Sequence, residues 1–233
     1  MAGKLIGVGV GPGDPELLTL KAVRTIREND VIALPGPVPE ETAAYRIAVQ
    51  AVPDLAGKIL VPLSFPMVMD RREQERCHRE GASILEGYLS EGRNVVFLTL
   101  GDAAVYSTFS YVQHLVEADG YETALVSGIP SFCAAAAALN LPLAEWTQPL
   151  HILPAVHRPD TDLSAPGNYV LMKSGTKMKQ LRDRLRGTGK SVYLVENCGM
   201  PDEKLYLSLD EIPDRTGYFS LLLVKEDSPG YGD

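Results

Sequence analysis

The sequence is short of the residues that staple a small domain or hold a metal. Its three cysteines, Cys77, Cys133 and Cys198, are far apart and form no CxxC pair, which argues against a disulfide framework and a zinc ribbon. The four histidines, His78, His114, His151 and His157, make no HExxH motif, so no protein-held metal is expected. No apolar run reaches the roughly 18 residues that span a bilayer. The opening Met1-Ala2-Gly3-Lys4-Leu5-Ile6-Gly7-Val8 lacks the charged-then-apolar layout and cleavage site of a signal peptide. It reads as a first strand, and a cytoplasmic protein without membrane contact is expected. Cations are also scarce: 22 Lys and Arg face 30 Asp and Glu, a net charge of −8. That removes the basic footprint of nonspecific nucleic-acid binding. Arg71-Arg72 and the stretch from Lys173 to Arg186 are local basic clusters, read first as solvated helix faces.

What is present is an ordinary globular composition, 45% hydrophobic and 22% charged in 233 residues, enough for one large domain or two small ones. Strand and helix signals alternate along the first half. Residues 5–10 predict a strand that runs into a glycine loop. Asp14 is a good N-cap and Pro15 suits a first helical position, so a helix is expected from Asp14, burying Leu18, Ala22 and Ile26. Residues 31–34 predict a buried strand, 35–39 a loop, 40–49 a short helix and 59–61 a strand. Residues 72–89 form an amphipathic helix pattern with Cys77, Gly81, Leu85 and Tyr88 on one face. A central strand over 94–100 ends at Gly101-Asp102, and the following helix is expected to carry Val105, Phe109, Val112 and Val116 on one side. Residues 124–126 and 131–139 add a strand and an alanine-rich helix.

This alternation predicts an α/β fold with a parallel sheet covered on both faces. Ligands of such sheets sit at the loops after the strands, here residues 9–15, 101–108 and 127–131. The proline-bearing stretch 140–149 reads as a linker, giving domains 1–143 and 144–233. The second domain has strand signals at 151–153, 169–172, 191–195 and 218–224 and one helix at 177–186, implying a more open, partly antiparallel sheet. The tail 227–233 reads as frayed.

Gly7-Val8-Gly9-Val10-Gly11-Pro12-Gly13 admits three readings: a dinucleotide loop, a tight turn, or a turn that lets the backbone approach another ligand. Pro12 lacks an N–H donor, Asp14 puts a carboxylate where a phosphate would sit, and Leu34 is followed by Pro35 instead of an acid. These disfavour the dinucleotide. Gly101 permits close backbone approach. Asp102 either caps the next helix or accepts bonds from a ligand's ammonium or hydroxyls. Ser127-Gly128-Ile129-Pro130-Ser131 alone reads as a helix start, with Ser131 near the N-cap.

Taken together, GVGPGDPELLT, LGDAAVYSTFSY and SGIPS resemble the tetrapyrrole methylases, and the resemblance extends through TGYFSLLLVKE. The YSTF segment after Gly-Asp points to the branch that methylates carbon 20 of precorrin-2 or of cobalt-factor II (cobalt-precorrin-2). Ala103 and Ser127 stand where related enzymes commonly carry proline. The resemblance implies a class III methyltransferase in which two α/β domains form a trough around S-adenosyl-L-methionine, with S-adenosyl-L-homocysteine as product, a cobalamin-pathway tetrapyrrole as substrate, and a homodimer.

By position, the resemblance puts Pro12 on the trough floor. Leu100, Gly101 and Asp102 then lie at the methionine portion and ribose, with Val105, Ser107 and Thr108 beside them. Pro130 and Ser131 come from the other side, and Ala155 and Met172 face the adenine. Tyr106, expected one turn into the helix, either orients or deprotonates the substrate or packs at the domain interface. Arg71, Arg72 and Lys173 are candidates for the substrate's carboxylates. The rival readings are a related methylase acting at carbon 11 or 17 or on uroporphyrinogen, and a noncatalytic module that binds S-adenosylmethionine.

Overall fold

The short apolar runs of the first half pair side by side, all parallel. They are β1 (Lys4–Gly9), β2 (Val31–Pro35), β3 (Ile59–Leu63), β4 (Val95–Thr99) and β5 (Glu122–Val126), in the order β3-β2-β4-β1-β5. The computed structural model describes residues 1–66, 70–154, 162–173, 175 and 178–226. Along β4 the side chains alternate: Val96 and Leu98 join Val8, Val10, Ile26, Ile32 and Ile47 on one face. Val95 and Phe97 join Leu5, Ala33, Leu85, Phe109 and Val112 on the other. Every residue of β4 is buried, as a strand covered on both sides requires. The register sets Gly9 opposite Thr99 and Val8 opposite Val126. The loops after β1, β4 and β5 therefore leave from neighbouring strands at one edge of the sheet.

The helices of this unit are α1 (Leu20–Glu28), α2 (Ala43–Ala51), α3 (Arg71–Ser90) and α4 (Phe109–Ala118). Three begin later than the sequence suggests, each for a local reason. Asp14 does cap, accepting from the Glu16 N–H at 2.8 Å, but only a 3₁₀ turn, Pro15–Leu17. Leu18 is extended, and Thr19 then caps α1 by accepting from the Ala22 N–H at 3.1 Å. Leu18, Ala22 and Ile26 are buried as expected. Residues 40–49 are likewise split at Thr42, the N-cap of α2. After Gly101-Asp102 the chain turns before it coils. Tyr106 has φ of +47°, which no helix accommodates, and α4 starts only at Phe109. Val105 is thus not on the face of α4, and Tyr106 is not in a helix.

The second half contains α5 (Ser131–Ala138), β6 (Leu150–Pro154), β7 (Asn168–Met172), α6 (Met178–Leu185), β8 (Ser191–Glu196), β9 (Lys204–Tyr206) and β10 (Ser220–Lys225). Its sheet runs β6-β7-β10-β8-β9, with β6 and β7 parallel and the other pairs antiparallel. Tyr169, Leu171, Leu181, Leu194 and Leu222 centre its core. The edge strand β9 carries no apolar period in the sequence.

The chain divides into Met1–Pro130 and Ser131–Asp233. α5 goes with the second unit because it packs on β10, so the division falls ahead of the expected 143/144. Asn168, 1% exposed, anchors the stretch expected as a linker. Its amide donates to the Leu143 carbonyl at 2.8 Å and to Gln148 Oε1 at 3.0 Å, while its oxygen accepts from the Glu226 N–H at 2.9 Å. The tail 227–233 lies outside the described residues.

Candidate functional site

The three loops at the edge of the first sheet are built on glycine. Gly11 and Gly101 form a reciprocal pair, Gly11 N–H to Gly101 O at 3.1 Å and Gly101 N–H to Gly11 O at 2.8 Å. Their φ values, +77° and +73°, lie where side chains are strained. Gly128 completes the stack. A Cβ on Gly9 would stand 2.5 Å from the Gly101 oxygen and 2.7 Å from the Gly128 nitrogen, and one on Gly128 would stand 2.2 Å from that oxygen. The glycine run is therefore a turn of close backbone approach, and what approaches it first is the protein's own backbone. Pro12, next in the run, is buried.

Asp102 does not cap α4. Its Oδ1 accepts from the Ala104 N–H at 2.7 Å and its Oδ2 from the Gly128 N–H at 2.9 Å. The carboxylate thus closes its own turn and ties that turn to the loop after β5. Two bonds leave acceptor capacity on a group with about four lone-pair sites. Ser107, 8% exposed, is committed inside the fold. Its hydroxyl lies 3.0 Å from Thr99 Oγ1 and accepts from the Phe109 N–H at 3.2 Å. Ser107→Ala is expected to lower unfolding stability by about 1–2 kcal/mol, one lost bond to the Phe109 N–H and one orphaned Thr99 hydroxyl. A lower urea midpoint at unchanged slope would show this.

Of the remaining expected residues, Leu100 is half-buried against the core, Val105 and Thr108 are half-buried in the turn, and Pro130 closes the first unit. Tyr106 is 46% exposed. Ser131 opens α5 and Met172 ends β7, both in the second unit. Ala155 lies outside the described residues. The structure therefore brings together the loop residues of the first unit, with Gly9, Gly11, Gly128 and Thr99 as partners that sequence position alone did not reveal.

The electrostatics of the edge are one-sided. Residues 9–15, 101–108 and 127–131 contain two carboxylates, Asp14 and Asp102, and no Lys or Arg. Such loops suit a ligand bearing positive charge and offer a phosphate no cation. Elsewhere, Arg71 pairs with Glu75 at 2.9 Å along the exposed side of α3. Lys173, left-handed at φ +56°, has its ammonium pKa lowered by burial. Burial, and then Glu203, push the Cys198 thiol up to about 12, so it is no nucleophile near neutral pH. Among the described residues no three His, Cys, Asp or Glu side chains are grouped to hold a metal ion.

A parallel sheet whose glycine-built loop edge carries two carboxylates and no Lys or Arg, followed in the chain by a mixed-sheet unit, defines an α/β protein of two units. Residues 4–213 match the Tetrapyrrole (Corrin/Porphyrin) Methylases, and the chain belongs to that family. It is 36% identical to a probable cobalt-precorrin-2 C(20)-methyltransferase of Methanocaldococcus jannaschii, over 95% of this chain and 96% of that protein. It is 29% identical to a precorrin-2 C(20)-methyltransferase of Sinorhizobium sp, over 99% and 97%. Among solved structures, uroporphyrin-III C-methyltransferase from Thermus thermophilus, complexed with S-adenyl homocysteine, shares the fold. The TM-score is 0.68 at 22% identity, covering 96% of this chain and 98% of that one.

Proposed function

We propose that this protein transfers a methyl group from S-adenosylmethionine to carbon 20 of precorrin-2 or cobalt-precorrin-2 in cobalamin biosynthesis. The full-length similarity to the C(20)-methyltransferases carries this reading. The acidic loop edge supports it, because a sulfonium and an ammonium are the charges those loops can accept. The relative at 36% identity acts, by its name, on the cobalt form, which makes that form the first substrate to try.

When bound, the cosubstrate supplies an electrophilic methyl group to the electron-rich meso carbon. The protein's part is to hold the partners in line. Positioning of this kind can supply about 7–11 kcal/mol of barrier reduction. In this reading Asp102 accepts from the ammonium or ribose hydroxyls, and Gly101 and Leu100 offer backbone at close range. Pro12, Val105, Thr108 and Pro130 shape the remainder of this loop edge. Ser107 acts from behind, by fixing the turn that carries them. The proposal includes a cytoplasmic homodimer, which sedimentation at working concentration would read.

Tyr106 is the proposed substrate-orienting or proton-accepting hydroxyl. Its exposed ring and left-handed backbone set it apart from the surrounding turn. Tyr106→Phe is expected to slow single-turnover methyl transfer by about 10²-fold, a typical acid–base contribution, with cofactor affinity retained. An unchanged rate would assign the ring to packing alone.

The proposal is tested by titrating S-adenosylhomocysteine calorimetrically and then supplying tetrapyrrole. Binding followed by gain of one methyl by precorrin-2 or its cobalt form is expected. Binding without turnover of any tetrapyrrole would leave a noncatalytic module.

A further inference from the structure

The loop after β5 is held by a residue far from it in sequence. Thr19 Oγ1 donates to the Ser127 carbonyl at 3.2 Å. The N–H of the same peptide unit, on Gly128, is held by Asp102 Oδ2 at 2.9 Å. One peptide plane is thus gripped at both ends, by a side chain from the start of α1 and by one from the loop after β4. Gly128 has no Cβ to limit its dihedrals, and a peptide preceding glycine rotates readily. The two bonds remove that freedom, since rotating the plane forfeits both. Gly101 and Gly9 pack so close to Gly128 that a Cβ there would stand 2.2 Å from the Gly101 oxygen and 2.7 Å from the Gly9 carbonyl carbon.

We propose that Thr19 is a positioning residue for the cofactor edge: by fixing the Ser127–Gly128 peptide it keeps the Gly128 N–H on Asp102 and so aims the Asp102 carboxylate. The inference rests on the reading that Asp102 meets S-adenosylmethionine. The competing role is purely local, because the same hydroxyl oxygen caps α1 by accepting from the Ala22 N–H at 3.1 Å.

Three variants separate the two roles. Thr19→Ser keeps both bonds. Thr19→Val removes both at nearly constant shape. Thr19→Asp keeps a strong N-cap acceptor but cannot donate to the Ser127 carbonyl. Thr19→Ser is expected to behave as the unmodified protein. Thr19→Val is expected to raise the S-adenosylhomocysteine Kd and the S-adenosylmethionine KM by about 3- to 10-fold, the equivalent of one net hydrogen bond. Its kcat should change little, because the hydroxyl does not touch the reacting atoms. Thr19→Asp is expected to recover the urea midpoint lost in Thr19→Val yet keep the weakened binding. In the protein without ligand, the Gly128 amide should exchange its hydrogen about 3- to 10-fold faster in Thr19→Asp, an opening effect of the same size. Unmodified affinity and unmodified Gly128 exchange in Thr19→Asp would overturn the inference and leave Thr19 a helix cap. Failure of the unmodified protein to bind S-adenosylhomocysteine would instead overturn the cofactor reading, and this inference with it.

Discussion

Gly128→Ala is expected to leave almost no protein that binds S-adenosylhomocysteine. The added Cβ would stand 2.2 Å from the Gly101 oxygen, 2.7 Å from the Gly9 carbonyl carbon and 2.8 Å from its Cα. All three are backbone atoms, so no side chain can swing aside. Gly101 cannot retreat without breaking its reciprocal pair with Gly11, and Gly9 is the last residue of β1, paired with Thr99 of β4. Overpacking of a yielding core costs about 1–3 kcal/mol, and this site has less to yield. We therefore expect a loss of about 3 kcal/mol or more by urea unfolding, together with loss of binding. Gly57→Ala is the control. Its Cβ meets nothing within 4 Å, and stability should stay within about 0.5 kcal/mol. A Gly128→Ala protein of normal stability and affinity would mean that the three loops do not meet as described.

Asp102→Asn is expected to weaken S-adenosylhomocysteine binding by about 10²-fold while the protein stays folded. The amide keeps one acceptor but turns an NH₂ toward either the Ala104 or the Gly128 N–H, both of which need acceptors. It also removes the charge that a ligand ammonium would meet. Charge-assisted bonds contribute about 1.5–3 kcal/mol each, so one lost contact accounts for the expected factor. Calorimetry reads the affinity and circular dichroism checks the fold. Unaltered affinity would place the ligand away from Asp102.

The strands and buried stripes were legible in the sequence because their signal is local. Val95 to Thr99 are apolar enough for two covered faces, and Leu18, Ala22 and Ile26 recur at helical spacing. The late helix starts were not legible, because distant or sterically special groups decide them. Leu18 ends the 3₁₀ turn, and Thr19 caps α1 while bonding Ser127. Ser107, ahead of the Thr108 N-cap, accepts from the first N–H of α4 while pairing with Thr99. Tyr106 takes a left-handed conformation that its residue type does not announce. The glycine run signalled close approach, but its partners at Gly101 and Gly128 are set by strand order. Asp102 was ambiguous for the same reason: the acceptor is visible in sequence, while the Gly128 N–H that claims it arrives from the loop after β5. β9, a three-residue edge strand, is too short to carry a period. The substrate-binding cations were the least legible part. Arg71 shows why, since its charge is met by Glu75 on its own helix, a pairing as consistent with a solvated face as with a binding wall.

The most direct test of the account is the position of the transferred methyl. The protein would be mixed with enzymatically made cobalt-precorrin-2 or precorrin-2 and methyl-labelled S-adenosylmethionine, and the product examined by NMR and mass spectrometry. Label at carbon 20 is the expected result, with the preferred form of the substrate naming the branch of the pathway. Label at another carbon, or on uroporphyrinogen in preference to either substrate, would contradict it.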